Sequence, residues 1–486
     1  MRKSVFLMSL LLGAVHLQAQ DTFQDAYNQF KQQAQGEYEA FRDEANKAYA
    51  EFVRKAWGEY QVMPAVPKPK EEEVPPVIVP DEDLLKPIES TPIHIEDKVI
   101  EVPTIEPQPV PVAPIRELPV DAEEKVTFSF YGTPLTVRFG KEQAFRMKAC
   151  TPDGVADAWE RLSGKEYNNL IRDCLSLRIE HRLGDWAYLQ MLERMAETCV
   201  GRGNEATLLM AYVYCQSGYK MRLGMVEGKL HMLFATKHRV YGMMFYHVNG
   251  DDYYMYGEQV NRLDICNATY PKETALSLWM PQNMVLTDKL SERRTLKSSR
   301  FPEVEVAVHS NQNLIDFMNG YPSSEFGDDF MTRWALYANK PMEERLSGEL
   351  LPALREKMKG LSEKDAVERL LNWVQTAFVY EYDDVVWGGD RAFFPEETLF
   401  YPYCDCEDRS ILFTRLVRDL LGLKCILIYY PGHLASAVCF TQQVDGDYIT
   451  LNGKRFVVCD PTYIGAPVGR TMPNMDNQTA HVILLE

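Results

Sequence analysis

Basic residues are the first shortage in this chain. Lys and Arg number 52 against 70 Asp and Glu, a formal net charge of −18. Tracking a phosphate backbone takes clustered Lys and Arg, so nucleic acid is excluded as a partner class. Long apolar runs are also missing. The run Val5–Val15 is too short for a bilayer core of about 30 Å, which takes roughly 20 apolar residues, and nothing later comes closer. No membrane span is expected. Paired Cys-x-x-Cys spacing is absent among the ten cysteines, which removes the usual sign of a structural zinc site.

What remains is an ordinary globular balance. The 486 residues are 46% hydrophobic and 25% charged, enough for two or three domains. Arg2 and Lys3 precede the apolar run and Ala19 follows it, which reads as a signal peptide over residues 1–19. No cysteine lies near that point, which argues against a lipid anchor. The mature chain is expected to be exported and soluble, either periplasmic or secreted. Its cysteines read mostly as buried free thiols, since a chain with a sizeable core does not need disulfides.

Residues 20–62 read as an amphipathic helix. Tyr27, Tyr38, Tyr49 and Tyr60 recur every eleven residues, as do Phe30, Phe41 and Phe52. That period is about 3.67 residues per turn, so the stripe stays on one face. The favoured reading is a helix that self-associates into a homo-oligomer, with docking on the chain's own body as the alternative. Residues 63–122 read as a Pro-rich linker. Half of the 28 prolines fall there, which predicts an extended spacer.

Two α+β domains are expected beyond it, over 123–300 and 301–486. In each, a helix-like run ends at a glycine, then come a lysine, a strand and a histidine. The first has Asn204–Gln216, Gly218, Lys220 and His231; the second has Cys406–Leu421, Gly422, Lys424 and His433. This order suggests a diverged duplication. Aligning the glycines sets Arg202 against Cys406, so the first copy has no nucleophile.

The segment that carries chemistry is Tyr403-Cys-Asp-Cys-Glu-Asp408. Helical spacing of Ile411, Leu412, Leu416 and Leu420 places Cys406 at a helix start, where unpaired N–H groups favour a thiolate and can hold an oxyanion. Asp405, Glu407 and Asp408 oppose the thiolate, so an imidazolium is required. His433 follows the turn Pro431-Gly432 and opens a strand, and Arg455–Asp460 is a second strand ending on a carboxylate. Antiparallel pairing of the two would bring His433, Asp460 and Cys406 to one edge.

This order of Cys-x-Asp, helix-ending Gly, strand-opening His and Asp460-Pro-Thr resembles the transglutaminase-like superfamily, papain-like cysteine enzymes. Phe394-Pro-Glu-Glu-Thr-Leu399 also resembles the family's approach to its cysteine. The resemblance implies an α+β, papain-like domain in which Cys406 is the nucleophile, His433 the general base and acid, and Asp460 the group orienting the imidazole. Asp408 matches a structural acid. Cys404-Asp405 stands where the family has Gly before its Cys. Trp387 and Tyr403 are the oxyanion candidates. No cofactor or metal is implied, and the substrate would be a protein or peptide.

Each feature has a structural counterpart: a buried thiol, a satisfied loop histidine, an aspartate before proline in a turn. A zinc site on Cys404 and Cys406 with Cys425, Cys439 or Cys459 is a further alternative, as is a disulfide on Cys404. The combined set favours acyl transfer or hydrolysis at amide bonds. The competing reading is an exported scaffold that kept the fold without the reaction.

Overall fold

The helix Cys406–Leu421 shows how local chemistry sets an element. Asp405 and Asp408 close its first turn as a capping box, and Gly422, at φ +66°, ends it in the left-handed region that glycine enters without strain. Its buried face, Ile411, Leu412, Leu416 and Val417 among others, lies against two strands, Lys424–Tyr430 and His433–Cys439. The computed structural model describes residues 36–70, 72–84, 86–95, 99–102, 106–119 and 124–486. The proposed signal peptide and the first turns of the aromatic repeat lie outside them.

The architecture is mixed α+β. Among the described residues two sheets exceed two strands. The first runs in the order Phe245–Val248, Asp251–Met255, Lys229–Ala235, Met221–Val226, Arg262–Cys266 and Trp57–Gln61. The second runs Pro92–Ile93, Tyr448–Leu451, Lys454–Cys459, His433–Cys439, Lys424–Tyr430, His481–Leu484 and Val99–Ile100. Apart from Pro92–Ile93 the two orders are the same, though the last edge strand is antiparallel to its neighbour in the first sheet and parallel in the second. In each sheet the central hairpin follows directly on a buried helix, Asn204–Gln216 in the first and Cys406–Leu421 in the second.

The register corrects one detail of the sequence alignment. Both central hairpins turn on two residues, with Val226 opposite Lys229 and Tyr430 opposite His433. Lys229, not His231, therefore occupies the His433 position. Beyond it Lys229 pairs with Glu258, an ion pair where the second sheet has an imidazole and a carboxylate.

The N-terminal expectations are corrected in two places. The helix is described over residues 36–53 and gives way to the strand Trp57–Gln61, antiparallel to Arg262–Cys266, so Tyr60 belongs to a sheet. Its buried face is Ala45, Tyr49, Ala50 and Val53, which join the chain's own core, with the Tyr49 ring 4.4 Å from that of Trp159. Docking within the chain, not self-association, accounts for that face; Phe52 is left 58% exposed.

The Pro-rich stretch is extended, but it is not a spacer. Val77–Ile78 pairs with Tyr463–Ile464, while Pro92–Ile93 and Val99–Ile100 cap opposite edges of the seven-stranded sheet. A residue that lacks N–H fits an edge strand, and the short additions cover edges that would otherwise be open.

The boundary near residue 300 is not a break in packing. Helices Gln312–Asn319 and Thr332–Asn339 share a hydrophobic core with the first half, and that core extends to Ile411 and Leu434.

Candidate active site

Strand pairing decides where His433 and Asp460 meet. Ser436 lies opposite Cys459 and Val438 opposite Val457, so the start of one strand runs beside the end of the other. His433 Nε2 is 2.9 Å from Asp460 Oδ2, with both side chains buried. The second carboxylate oxygen accepts the N–H of Thr462 at 2.9 Å and of Tyr463 at 3.2 Å, an Asx-type turn that fixes the carboxylate plane. Nδ1 of His433 is buried without a partner.

Cys406 is the first residue of its helix and is only 3% exposed. It lines a pocket of about 490 Å³ together with His433 and Leu434. Two hydrogen bonds hold the helix start in place: Ser410 Oγ–H donates to the Leu434 carbonyl at 2.7 Å, and Phe393 N–H to Asp408 Oδ1 at 2.7 Å. Arg409, buried, reaches the carbonyls of Gln375 and Phe378 at 3.0 Å each. A strand start and a strand end thus bring His433 and Asp460 into contact at one sheet end, and the helix start sets Cys406 in the same pocket wall as His433.

The electrostatics favour the thiol over the thiolate. Burial first, then the charges of Glu407 and Asp405, push the Cys406 thiol well above its ordinary range; the Leu434 backbone amide pulls the other way. Cys406 Sγ–H points at Glu407 Oε2, 3.3 Å away. The surroundings are crowded with carboxyls. Burial and mutual repulsion raise Asp405, Glu407 and Asp408, and push Asp383 up to about 8. Arg333 is the compensating charge, with Nη2 3.2 Å from Asp390 Oδ1. Two sets are close enough to share a cation, Asp405–Cys406–Glu407 and Asp383–Asp390–Glu407.

The oxyanion candidates separate. Trp387 lines the pocket, with the Arg391 guanidinium stacked 4.4 Å from its ring centroid. Tyr403 is 40% exposed and is not part of the pocket wall. Sequence reasoning missed Tyr380. Its hydroxyl is buried without a partner, and after burial the charge that most raises its pKa is that of Cys406. No local motif marks Tyr380; only the parallel pairing of Val379–Tyr380 with Tyr403–Cys404 brings it close.

Sequence reasoning also missed Gln375. Its amide reaches the carbonyls of Asp460, Tyr463 and Ala466 at 2.9–3.1 Å and accepts the Gly465 N–H at 3.1 Å.

All ten cysteines are free thiols. Cys404 accepts a hydrogen bond from Arg409 Nε at 3.4 Å, and neither candidate cation cluster includes Cys404, Cys425, Cys439 or Cys459. The thiolate-zinc and Cys404-disulfide alternatives have no counterpart among the described residues.

No family model matches this chain, and no curated protein is significantly similar to it. Among the described residues no helix is long and apolar enough to cross a membrane.

Proposed function

We propose that this is an exported, transglutaminase-like cysteine enzyme on a papain-like fold, acting at amide bonds of protein or peptide substrates. One observation carries the reading. His433 is held by Asp460 through Nε2 and its Nδ1 is buried without a partner, while His433 and Cys406 line the same pocket. A base oriented by a carboxylate beside a thiol at a helix start is the arrangement nucleophilic acyl transfer requires.

In this reading Nδ1 takes the Sγ proton, and the thiolate attacks the carbonyl carbon. The helix-start N–H groups hold the oxyanion, with Tyr380 or Trp387 as the side-chain donor. His433 then gives its proton to the leaving amine, and water or an acceptor amine releases the thioester. The raised thiol pKa makes His433 indispensable: without an imidazolium, Glu407 and Asp405 hold the proton on sulfur. The shared strand order of the two sheets supports a first copy of the same fold, with Arg202 and Lys229 in place of the nucleophile and base.

A second reading, a scaffold without a reaction, draws on that same burial and acidic surroundings of Cys406. Iodoacetamide labelling near neutral pH separates them. The enzyme reading expects Cys406 to react faster than the other nine cysteines and to lose that advantage in His433→Ala; equal rates in both proteins favour the scaffold.

A further inference from the structure

The Pro-rich stretch does more than cover sheet edges: it crosses the candidate active site. Lys68, Pro69, Lys70 and Glu73 form part of the wall of the pocket that holds Cys406 and His433. Just beyond, Val77–Ile78 pairs with Tyr463–Ile464, which follows Asp460 closely in the chain. The strap therefore passes both the imidazole side and the carboxylate side of the site. Pro67, Pro69, Pro75 and Pro76 keep it extended.

Its attachment has the form of a bound peptide. The Val74 N–H donates to the Gly432 carbonyl at 2.9 Å, a main-chain contact that needs no particular side chain. Gly432 itself, at φ +76°, lies so close that a Cβ there would sit 2.2 Å from the Glu72 carbonyl oxygen. Two lysines then meet acidic residues of the short helix Asp383–Val386 and the turn after it. Lys68 Nζ donates to the Asp390 carbonyl at 2.5 Å, and Lys70 Nζ pairs with Asp384 at 2.9 Å in an exposed position.

The fit is poor where it matters. Glu73 presents its carboxylate to Glu407, Asp390 and Asp384, and Oε2 is buried without a partner. An exposed ion pair contributes at most about 1 kcal/mol, and a single net hydrogen bond is of similar size. The part of the strap before Val77, held this way and repelled at Glu73, is displaceable, while Val77–Ile78 stays anchored by its pairing with Tyr463–Ile464 and by the packing of Val77 on the cluster of Tyr463 and Met472.

We infer that residues 68–70 and 72–74 lie on the track of the substrate, and that the substrate is an extended, lysine-bearing polypeptide that displaces them. The incoming chain donates a backbone N–H to the Gly432 carbonyl and sets its lysines against Asp384 and the Asp390 carbonyl. This rests on the cysteine-enzyme reading for what happens next, but the occupancy of the track does not.

The test is the rate of Cys406 alkylation in the full chain, followed by mass spectrometry. The double variant Lys70→Ala/Val74→Pro, which removes one ion pair and one N–H donor, should be labelled faster, by roughly fivefold or more for the loss of contacts of this size. Glu73→Gln removes the repulsion without disturbing packing and should slow labelling. A synthetic peptide of residues 66–76, added to the loosened variant, should restore protection, and the same peptide with both lysines changed to Glu should not. Repeating the pair in a His433→Ala background separates the two ideas: accessibility should still change there even if the enzyme reading fails. Labelling unchanged by both the loosened variant and Glu73→Gln, or equal protection by the two peptides, would overturn the inference.

Discussion

His433 and Asp460 are 27 residues apart in the chain and 2.9 Å apart in space, both closed off from solvent. The carboxylate is not free to turn, because its other oxygen is occupied by two backbone N–H groups. Asp460→Asn keeps the shape but allows the amide to present N–H to Nε2, which favours the wrong tautomer of the ring. The expected outcome is a fall of about 10²–10⁴-fold in acylation of Cys406, in the range of a lost general base. Stopped-flow acylation by an activated peptide ester measures it. A change under threefold would show that the pair is structural only.

Gln375 ties the loop behind Asp460 to the helix Glu363–Ala377. Gln375→Leu fills the same volume and leaves those buried carbonyls without a donor. Orphaned buried polar groups cost about 1–3 kcal/mol each, so the denaturant midpoint should fall, and acylation with it as Asp460 loosens. Urea unfolding checks the first effect. An unchanged midpoint would mean that solvent reaches these carbonyls.

Tyr380 makes opposite predictions for stability and activity. Its hydroxyl is buried and unpartnered, so Tyr380→Phe should leave stability unchanged or raise it by about 1 kcal/mol. If the hydroxyl serves the oxyanion, acylation should nevertheless drop by about 10²-fold. Activity retained at full rate would leave Trp387 as the remaining side-chain donor.

These side chains were unequally legible in the sequence. Cys406, His433 and Asp460 each stand at an element boundary that turn and capping residues mark: Asp405 and Asp408, Pro431-Gly432, Pro461. Tyr380 and Gln375 have no such punctuation, and their roles arise from contacts between elements. The strand Trp57–Gln61 was hidden because Tyr60 happens to continue an eleven-residue spacing, while its partner Arg262–Cys266 lies some 200 residues away. Strands as short as Val77–Ile78 carry no period at all. Proline content correctly indicated extended backbone there, but not what the backbone touches.

The buried carboxyls give stability a definite slope with pH. Burial pushes Glu397 up to about 7 and Asp383 up to about 8, and Asp405 and Asp408 shift the same way. The folded state therefore holds protons that the unfolded chain releases above pH ~4–4.5. Their contribution is present at low pH and is lost as pH rises through the folded values. His238 acts in the opposite sense below pH ~6.5, since burial lowers it to about 3. The clean window is thus between pH ~6.5 and 8, where the carboxyls act alone. The denaturation midpoint should fall across it, and Asp383→Asn should flatten the fall. A midpoint that rises from pH 6.5 to 8 would contradict the assignment.

The last prediction concerns the N-terminal helix. Tyr49 packs between Trp159 and Tyr270, at ring distances of 4.4 and 5.9 Å, while Phe52 faces solvent. Removing a buried aromatic costs about 3–5 kcal/mol, whereas an exposed change stays within about 0.5 kcal/mol. Tyr49→Ala should therefore lower the unfolding midpoint sharply, and Phe52→Ala should leave it in place. If the helix instead pairs with a second copy through its aromatic stripe, the ranking changes: Phe52→Ala would lower the sedimentation coefficient, and Tyr49→Ala would act through assembly as well as folding. Analytical ultracentrifugation of both variants beside urea unfolding decides it. A docked helix gives two variants of unchanged mass and very different stability.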